Sequence, residues 1–367
     1  MSPDPAPPTA GLPVTPPAPG RRRTLGFNTR VPWSDADGPG AGLREGIALF
    51  RAAEDLGYQS GWAYQRHFDH YLSSPLPFFA AVGQHTQRIL LGSAVIPMRY
   101  QDPVLLAEAA GTTDLLVDGR LQLALATGST AAWDPVFGAV DTDPRTEAQH
   151  RLQRFVAAVA GETLHVVDGP GQGAPEGTPV RVTPHSPGLR GRLRHGAASI
   201  GSAVEAARQG LGLITGTVLH GLDDGETFPQ YQARVIEAYR ATWHATRDTP
   251  PPPVAVAASV LPGPTAELRE TYAAYDHERR TAGMAASRPQ GALTPVVTAD
   301  LPTGRAVSPV FHGTPDEVVN AVLADPGLTI ADEIVLFLPP ALGHDAAVRL
   351  LTDLAETVAP ELGWSPG

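Results

Sequence analysis

Leu56-Gly57-Tyr58-Gln59-Ser60-Gly61-Trp62-Ala63-Tyr64-Gln65-Arg66-His67-Phe68, then Thr86-Gln87-Arg88-Ile89-Leu90-Leu91-Gly92-Ser93-Ala94-Val95, then Asp118-Gly119-Arg120-Leu121-Gln122-Leu123-Ala124-Leu125-Ala126-Thr127-Gly128 are the segments whose reading decides the fold. Each is a short apolar run that ends in polar or small residues instead of more core. Such runs read as strands buried on both faces, here Ser60–Tyr64, Ile89–Val95 and Leu121–Ala126. In a parallel α/β barrel the carboxyl ends of the strands and the loops after them carry the chemistry, and polar strand ends are what that arrangement needs.

Working outward, the same alternation of apolar run and helical pattern continues to both ends of the chain. A first strand is expected at Leu25–Asn28 and a helix at Leu43–Leu56, with apolar residues spaced for one buried face. Pro103 opens a helix reaching Leu116, and another lies around Gln149–Val159. Further strands are expected at Arg192–His195, Gly212–Ile214, Val254–Val260 and Glu333–Leu338. Eight strands joined by crossovers favour a closed (β/α)8 barrel, a TIM barrel with insertions, over an open sheet. Val167–Pro187, rich in Gly and Pro, reads as a surface insertion. The aperiodic stretch from about Arg279 to Ser308 reads as a lid or as an inert insertion. Thr314-Pro315-Asp316-Glu317 carries the capping-box signature of a helix start.

Met1 to Gly20 is almost entirely Pro, Ala, Gly and Thr, which cannot bury enough apolar surface to offset the entropy of ordering. Residues 1–23 are therefore expected to be a disordered tail, and 24–367 one barrel domain. Arg21-Arg22-Arg23 resembles a twin-arginine export signal, but no apolar stretch follows it.

Among 367 residues with a net charge of -11, all 27 basic residues are arginine. Without lysine there is no Schiff-base chemistry, and without cysteine no thiolate nucleophile, disulfide, cysteine-ligated zinc or iron–sulfur cluster. Redox chemistry would have to come from a bound organic cofactor. The negative balance argues against a nucleic-acid partner. No run of about 18 apolar residues is present, which argues against a membrane span. The lack of cysteine fits a reducing, cytoplasmic setting.

Several residues at the expected strand ends have chemistry to offer. Asn28 and Thr29 follow strand one, and Ala94 to Met98 follow strand three. Thr127, Gly128 and Ser129 follow strand four. His67 can exchange protons near neutral pH, and Arg66, always charged, can hold an anion. His67-Phe68-Asp69-His70 has the composition of a metal site, but a spacing on an irregular loop that does not fix three ligands. Ser199 and Ser202, in Gly196-Ala197-Ala198-Ser199-Ile200-Gly201-Ser202, stand where a helix N-terminus can seat a phosphate or simply be capped. No Gly-x-Gly-x-x-Gly opens a helix after a strand, so a Rossmann site is not indicated.

Taken in order and spacing, these segments resemble the bacterial luciferase-like flavin monooxygenases from about Leu25 to Trp364. Gly119-Arg120, Gly313-Thr314-Pro315-Asp316-Glu317-Val318 and Val358-Ala359-Pro360-Glu361-Leu362-Gly363-Trp364 contribute to the likeness. The resemblance implies reduced FMN, O2 and a small organic substrate, reduced flavin from a separate reductase, and a homodimer. It implies a non-prolyl cis peptide at Ala94-Val95 behind the flavin ring, and Ser199 and Ser202 at the phosphate. The loop that often reads Glu-His-His-Phe in the family is Gln65-Arg66-His67-Phe68 here. Arg66 thus stands in the place of the histidine usually given the catalytic role, and His67 matches the second. Some members carry a phosphate-binding arginine where this chain has Thr127, so that charge has to come from elsewhere, with Arg194 and Arg99 as candidates. Two other readings stay open: a deazaflavin enzyme transferring hydride without oxygen, and a flavin-binding or subunit-pairing protein without catalysis.

Overall fold

Apolar strands that would be half solvated in an open sheet need cover on both faces, and here a closed barrel wrapped in helices supplies it. The computed structural model describes residues 23–128, 133–138, 143–169, 173–282 and 305–367. The strands are β1 (Thr24–Thr29), β2 (Ser60–Ala63), β3 (Leu90–Pro97), β4 (Leu121–Ala126), β5 (Leu193–Ala197), β6 (Gly212–Thr215), β7 (Ala255–Pro262) and β8 (Glu333–Phe337). Every neighbour pairs in parallel in chain order, and β8 returns to β1 through Thr24↔Glu333 to Asn28↔Phe337, closing an eight-stranded barrel.

All eight expected strands form, with boundaries moved by a few residues. The fifth starts at Leu193 because Leu189–Arg192 is a single tight helical turn. The third runs on past Val95 to Pro97, through a bulge that shifts its register between Ala94 and Ile96. Helix α1 (Pro39–Asp55) begins earlier than expected, and α2 (Pro75–Gly83) had no expectation at all. Helix α3 (Pro103–Leu116) matches its expectation, with the Asp102 carboxylate accepting from the Val104 and Leu105 amides. The chain continues with α4 (Asp134–Phe137), α5 (Pro144–Val159), α6 (Ile200–Arg208), α7 (Phe228–Thr246) and α8 (Ala266–Ala282). The capping box does open α9 (Pro315–Ala324), which α10 (Pro326–Ile330) and α11 (His344–Asp353) follow. A short antiparallel pairing of His165–Val166, just before the expected insertion, with Pro179–Val180 inside it follows α5. Of the tail expected over 1–23, only Arg23 is described, and it bridges to Trp364. Of the stretch from Arg279 to Ser308 read as a lid or insertion, residues 279–282 end α8 and Arg305–Val307 is a strand, while 1–22, Ser129 and 283–304 lie outside the described residues.

Side chains alternate between the barrel interior and the helix layer. Phe27 points outward onto Phe50, edge to face at 4.9 Å. Trp62, Ala94, Ala124, Ile214, Ala255, Ala257 and Val335 form the interior cluster. Trp62 lies where any side chain on Gly92 would be, so that glycine makes room for the indole. At the strand starts the Glu333 carboxylate accepts from Ser60 Oγ, and Trp62 Nε1 donates to the same pair at 2.8 and 3.2 Å. Arg194 closes this polar plug, 3.4 Å from Glu333 and donating to the Pro253 carbonyl at 2.6 Å. The amino end of the barrel is thereby sealed, and the carboxyl end is the mouth.

Candidate functional site

Three adjacent strand ends build one side of the mouth. On β3 the Ala94–Val95 peptide is cis, and Val95 packs against the interior cluster. Its Cγ1 lies 2.5 Å from where a Cβ on Gly196 of β5 would sit, so only glycine at 196 leaves Val95 its place. After β4, Gly128 has φ +89, a left-handed conformation, and a Cβ there would come within 3.0 Å of Pro97. Thr127 turns its carbonyl to the Arg99 amide at 3.1 Å. At the end of β5, Ser199 caps α6, and Ser202 Oγ accepts from the Ala198 and Ser199 amides at 3.2 and 3.1 Å. The two serines are thus engaged with each other and with the turn. Around them there is space: beyond their own chain neighbours and helix backbone, none of the described residues has an atom within 4 Å of a Cβ placed on Gly201 or Gly216.

Neither arginine considered as the source of positive charge for this side is available to it. Arg194 is in the plug at the opposite end of the barrel. Arg99 is bound to Asp134 through Nε at 2.7 Å and a second contact from its terminal nitrogen, and that hydrogen bonding holds the guanidinium above its ordinary pKa. A third arginine, not anticipated from the sequence, lies close instead. Arg305–Val307 pairs antiparallel with Val218–His220, and Arg305 Nε donates to His220 Nδ1 at 3.2 Å. The His220 amide in turn donates to the Ala198 carbonyl at 2.7 Å, so Arg305 stands beside the β5–α6 turn. Burial, and then the Arg305 charge, lower the His220 pKa.

The loop after β2 sits next to this arc. Arg66 Nε pairs with Asp69 at 2.9 Å, and the Asp69 carboxylate is only 1% exposed. His70 reaches Asp35 at 3.2 Å. With Asp69 and His70 so engaged, no cluster of three His, Asp or Glu side chains able to hold a metal occurs among the described residues. His67 lies among aromatic rings, 4.9 Å from Phe137, 6.0 Å from Tyr100 and 6.1 Å from Phe68. Its Nε2 is buried with no hydrogen-bond partner among the described residues, and burial lowers its pKa. An imidazole with an unengaged ring nitrogen is chemically able to exchange a proton.

The opposite side of the mouth, from β7, β8 and β1, holds Asn28, already noted at the end of strand one, and two arginines that sequence reasoning passed over. The guanidinium of Arg30, directly after β1, lies over the rings of Tyr71, Phe337 and Tyr64 at 5.1, 5.3 and 5.5 Å. Arg279, from the last turn of α8, donates to Ser259 Oγ at 2.8 Å and Ser308 Oγ at 3.2 Å. Asn28, on the inner face of β1, has its side-chain oxygen buried without a partner. Arg30 was findable as the first charged residue after a strand. Arg279 carried no local signal.

These features fit a flat, largely apolar cofactor ring with an anionic tail. A small-residue floor is present at Ala94 and Val95, open space at Gly201 and Gly216, a cation at Arg305, and unsatisfied polar atoms at Asn28 and His67.

Residues 25–330 match the family model of the luciferase-like monooxygenases. Among curated relatives, limonene 1,2-monooxygenase of Rhodococcus erythropolis is 27% identical over 187 residues, 46% of this chain and 48% of that protein. The F420-dependent glucose-6-phosphate dehydrogenase of Kribbella flavida is 32% identical over 93 residues, 24% of this chain and 28% of that protein. The chain therefore spans half or less of the length of these relatives. Among solved structures, a monooxygenase from Streptomyces bottropensis superposes with a TM-score of 0.71 at 19% identity, covering 92% of this chain and 99% of that one. The oxygenating constituent of 3,6-diketocamphane monooxygenase from Pseudomonas putida, a type II Baeyer–Villiger monooxygenase in complex with FMN, superposes with a TM-score of 0.67 at 15% identity, over 92% and 98%. At such identities the structures establish a shared fold.

Proposed function

The chain belongs to the luciferase-like monooxygenase family, and from that premise we propose that it is a monooxygenase using reduced FMN and O2 to oxygenate a small organic substrate. The observation that carries this reading is the contiguous arc of β3, β4 and β5 ends, where a small-residue floor, open space and a cation follow one another around the mouth. Reduced FMN, supplied by a separate reductase, provides the electrons that activate oxygen.

The residues do the rest. Ala94 and Val95 back the ring, Thr127 and Gly128 border it, and Ser199, Ser202 and the first turn of α6 face the phosphate. Arg305 supplies the positive charge that the family's arginine would have supplied at Thr127. His67 Nε2 holds or moves the proton, because Arg66 stays charged and is committed to Asp69. Phe68, Phe137 and Tyr100, packed around His67, with Trp133 against Phe68, keep water from that nitrogen.

The deazaflavin alternative is separated by titrating the protein with FMN and with F420 and then mixing each reduced complex with O2. Tight FMN binding, with flavin reoxidation altered from that of free FMN, supports the oxygenase. Binding of F420 with indifference to FMN and O2 replaces it by a hydride-transfer enzyme.

A further inference from the structure

The wall of the mouth formed by β7, β8 and β1 has a charge problem. Arg279 is 6% exposed, and it donates to the Ser259 and Ser308 hydroxyls. The Tyr275 side chain flanks it. Asp276 lies near enough to favour its charge, yet that carboxylate is taken by Arg280 and by His312 Nε2 at 3.3 Å. Burying a cation against neutral groups is costly, and a second cation nearby raises the cost. Arg30 is that second cation. Burial first, and the Arg30 charge as well, push the Arg279 pKa down.

The position of the pair is set by strand alternation. Ala255 and Ala257 belong to the interior cluster, so Ser259, two residues on, faces the barrel axis and brings the Arg279 guanidinium over the mouth. Val335 is interior likewise, so Phe337 faces inward beneath Arg30. Two guanidiniums, two hydroxyls and the rings of Tyr64, Tyr71 and Phe337 therefore line one wall. In the strand order it lies across from the β3–β5 arc. A planar guanidinium presents parallel donors that match a carboxylate, and the aromatic faces suit a hydrocarbon body.

We propose that the substrate is an organic acid whose carboxylate is held by Arg279, Ser259 and Ser308, with Arg30 beside it and its hydrocarbon part on Phe337, Tyr64 and Tyr71. The assignment deepens the flavin reading and rests on it for the placement of cofactor and substrate on opposite walls. The acid would arrive ionised, its carboxylate distant from the carbon that is oxygenated.

The test is calorimetric titration of the full chain with phenylacetate and hexanoate, each against its neutral amide, with and without saturating FMN. The expected result is at least tenfold preference for acid over amide, retained with FMN present, and lost at least tenfold in Arg279→Gln. Ser308→Ala, which keeps the charge, should weaken acid binding by a few fold and guards against a misfolded first variant. Equal or absent binding of both acids and both amides to the wild-type chain overturns the proposal, as does acid preference unchanged in Arg279→Gln. Competition between FMN and the acids would move the cofactor phosphate to Arg279 and also overturn it, while leaving flavin binding intact. Acid binding retained by a chain that does not bind FMN would sink the flavin reading alone.

Discussion

Glu54 should be one of the most costly single side chains to remove, although it lies far from the mouth. Its carboxylate, at the end of α1, accepts from the amides of Gln87 at 2.9 and 3.0 Å, Arg88 at 2.6 Å and Ile89 at 2.8 Å, and so fixes the chain as it enters β3. Hydrogen bonds to a charged group contribute about 1.5–3 kcal/mol each, but the sum for three amides is an upper bound. Gln87 and Arg88 are exposed, and water can replace the carboxylate there. Ile89 is 1% exposed, and its amide would be left with no acceptor. We therefore expect Glu54→Ala to cost about 3 kcal/mol, most of it from Ile89, and Glu54→Gln about half of that. In a chain of this length the melting temperature should fall by roughly 5 °C. The pH dependence follows from linkage. Burial alone would raise the Glu54 pKa, but the three amides outweigh it and hold the folded value below the ordinary one. The contribution is therefore complete above the unfolded pKa of about 4.3 and is lost as pH falls through the lower folded value. Denaturant unfolding of both proteins between pH 7 and pH 3 reads this directly. A gap under about 1 kcal/mol at pH 7, or one that stays constant down to pH 3, would refute the account.

Three further substitutions address the mouth. His67→Ala should leave FMN affinity nearly unchanged and lower turnover by about 10²–10⁴, and the acid limb of the wild-type kcat profile should lie below pH 6.5 because burial depresses the imidazole pKa. Full turnover in the variant would move His67 to a packing role. Arg305→Gln should lower affinity for FMN at least tenfold and for riboflavin hardly at all, since only FMN has the phosphate, and an unchanged ratio of the two would place that phosphate elsewhere. Gly196→Ala should cost about 1–3 kcal/mol in stability and weaken FMN binding, because the new methyl would meet Val95 Cγ1 at 2.5 Å and a β-branched side chain has few rotamers to escape into. Equilibrium unfolding and flavin fluorescence measure the two parts separately.

The barrel was legible because a strand buried on both faces needs a continuous apolar run, and such runs survive as local patterns at Leu121–Ala126 or Glu333–Phe337. Helix starts with side-chain caps, at Asp102 and Thr314, were equally local. Interactions between distant segments were not. Arg305 and His220 are 85 residues apart, and Arg305 sits in a stretch with no periodicity. Arg279 reaches Ser259 from the far end of a helix. Of the two arginines expected near the phosphate, Arg194 is the one for which the sequence did hold a warning. It lies near the start of its strand, and residues there face the closed end of a barrel. Ser199 and Ser202 were identified correctly as the N-terminal turn of α6, but the reciprocal hydrogen bonds that occupy them depend on side-chain geometry that spacing does not give.

Net charge and local charge point in opposite directions in this protein, and the difference bears on how an anion would reach the site. A chain of net charge -11 repels organic acids at long range, and that repulsion is screened within about 8 Å at physiological ionic strength. At the mouth, Arg30 follows β1, while Arg279 and Arg305 both come from the long connection between β7 and β8. Low-dielectric walls strengthen fields there instead of screening them. Two anionic groups, a cofactor phosphate and a substrate carboxylate, could then share one opening without a common subsite, since Arg305 serves the β5–α6 turn and Arg279 the wall of β7 and β8. Arginine suits this use better than lysine, because it stays charged when buried and presents a planar fork to each anion. A chain whose 27 basic residues are all arginine has no lysine at the mouth to lose its proton.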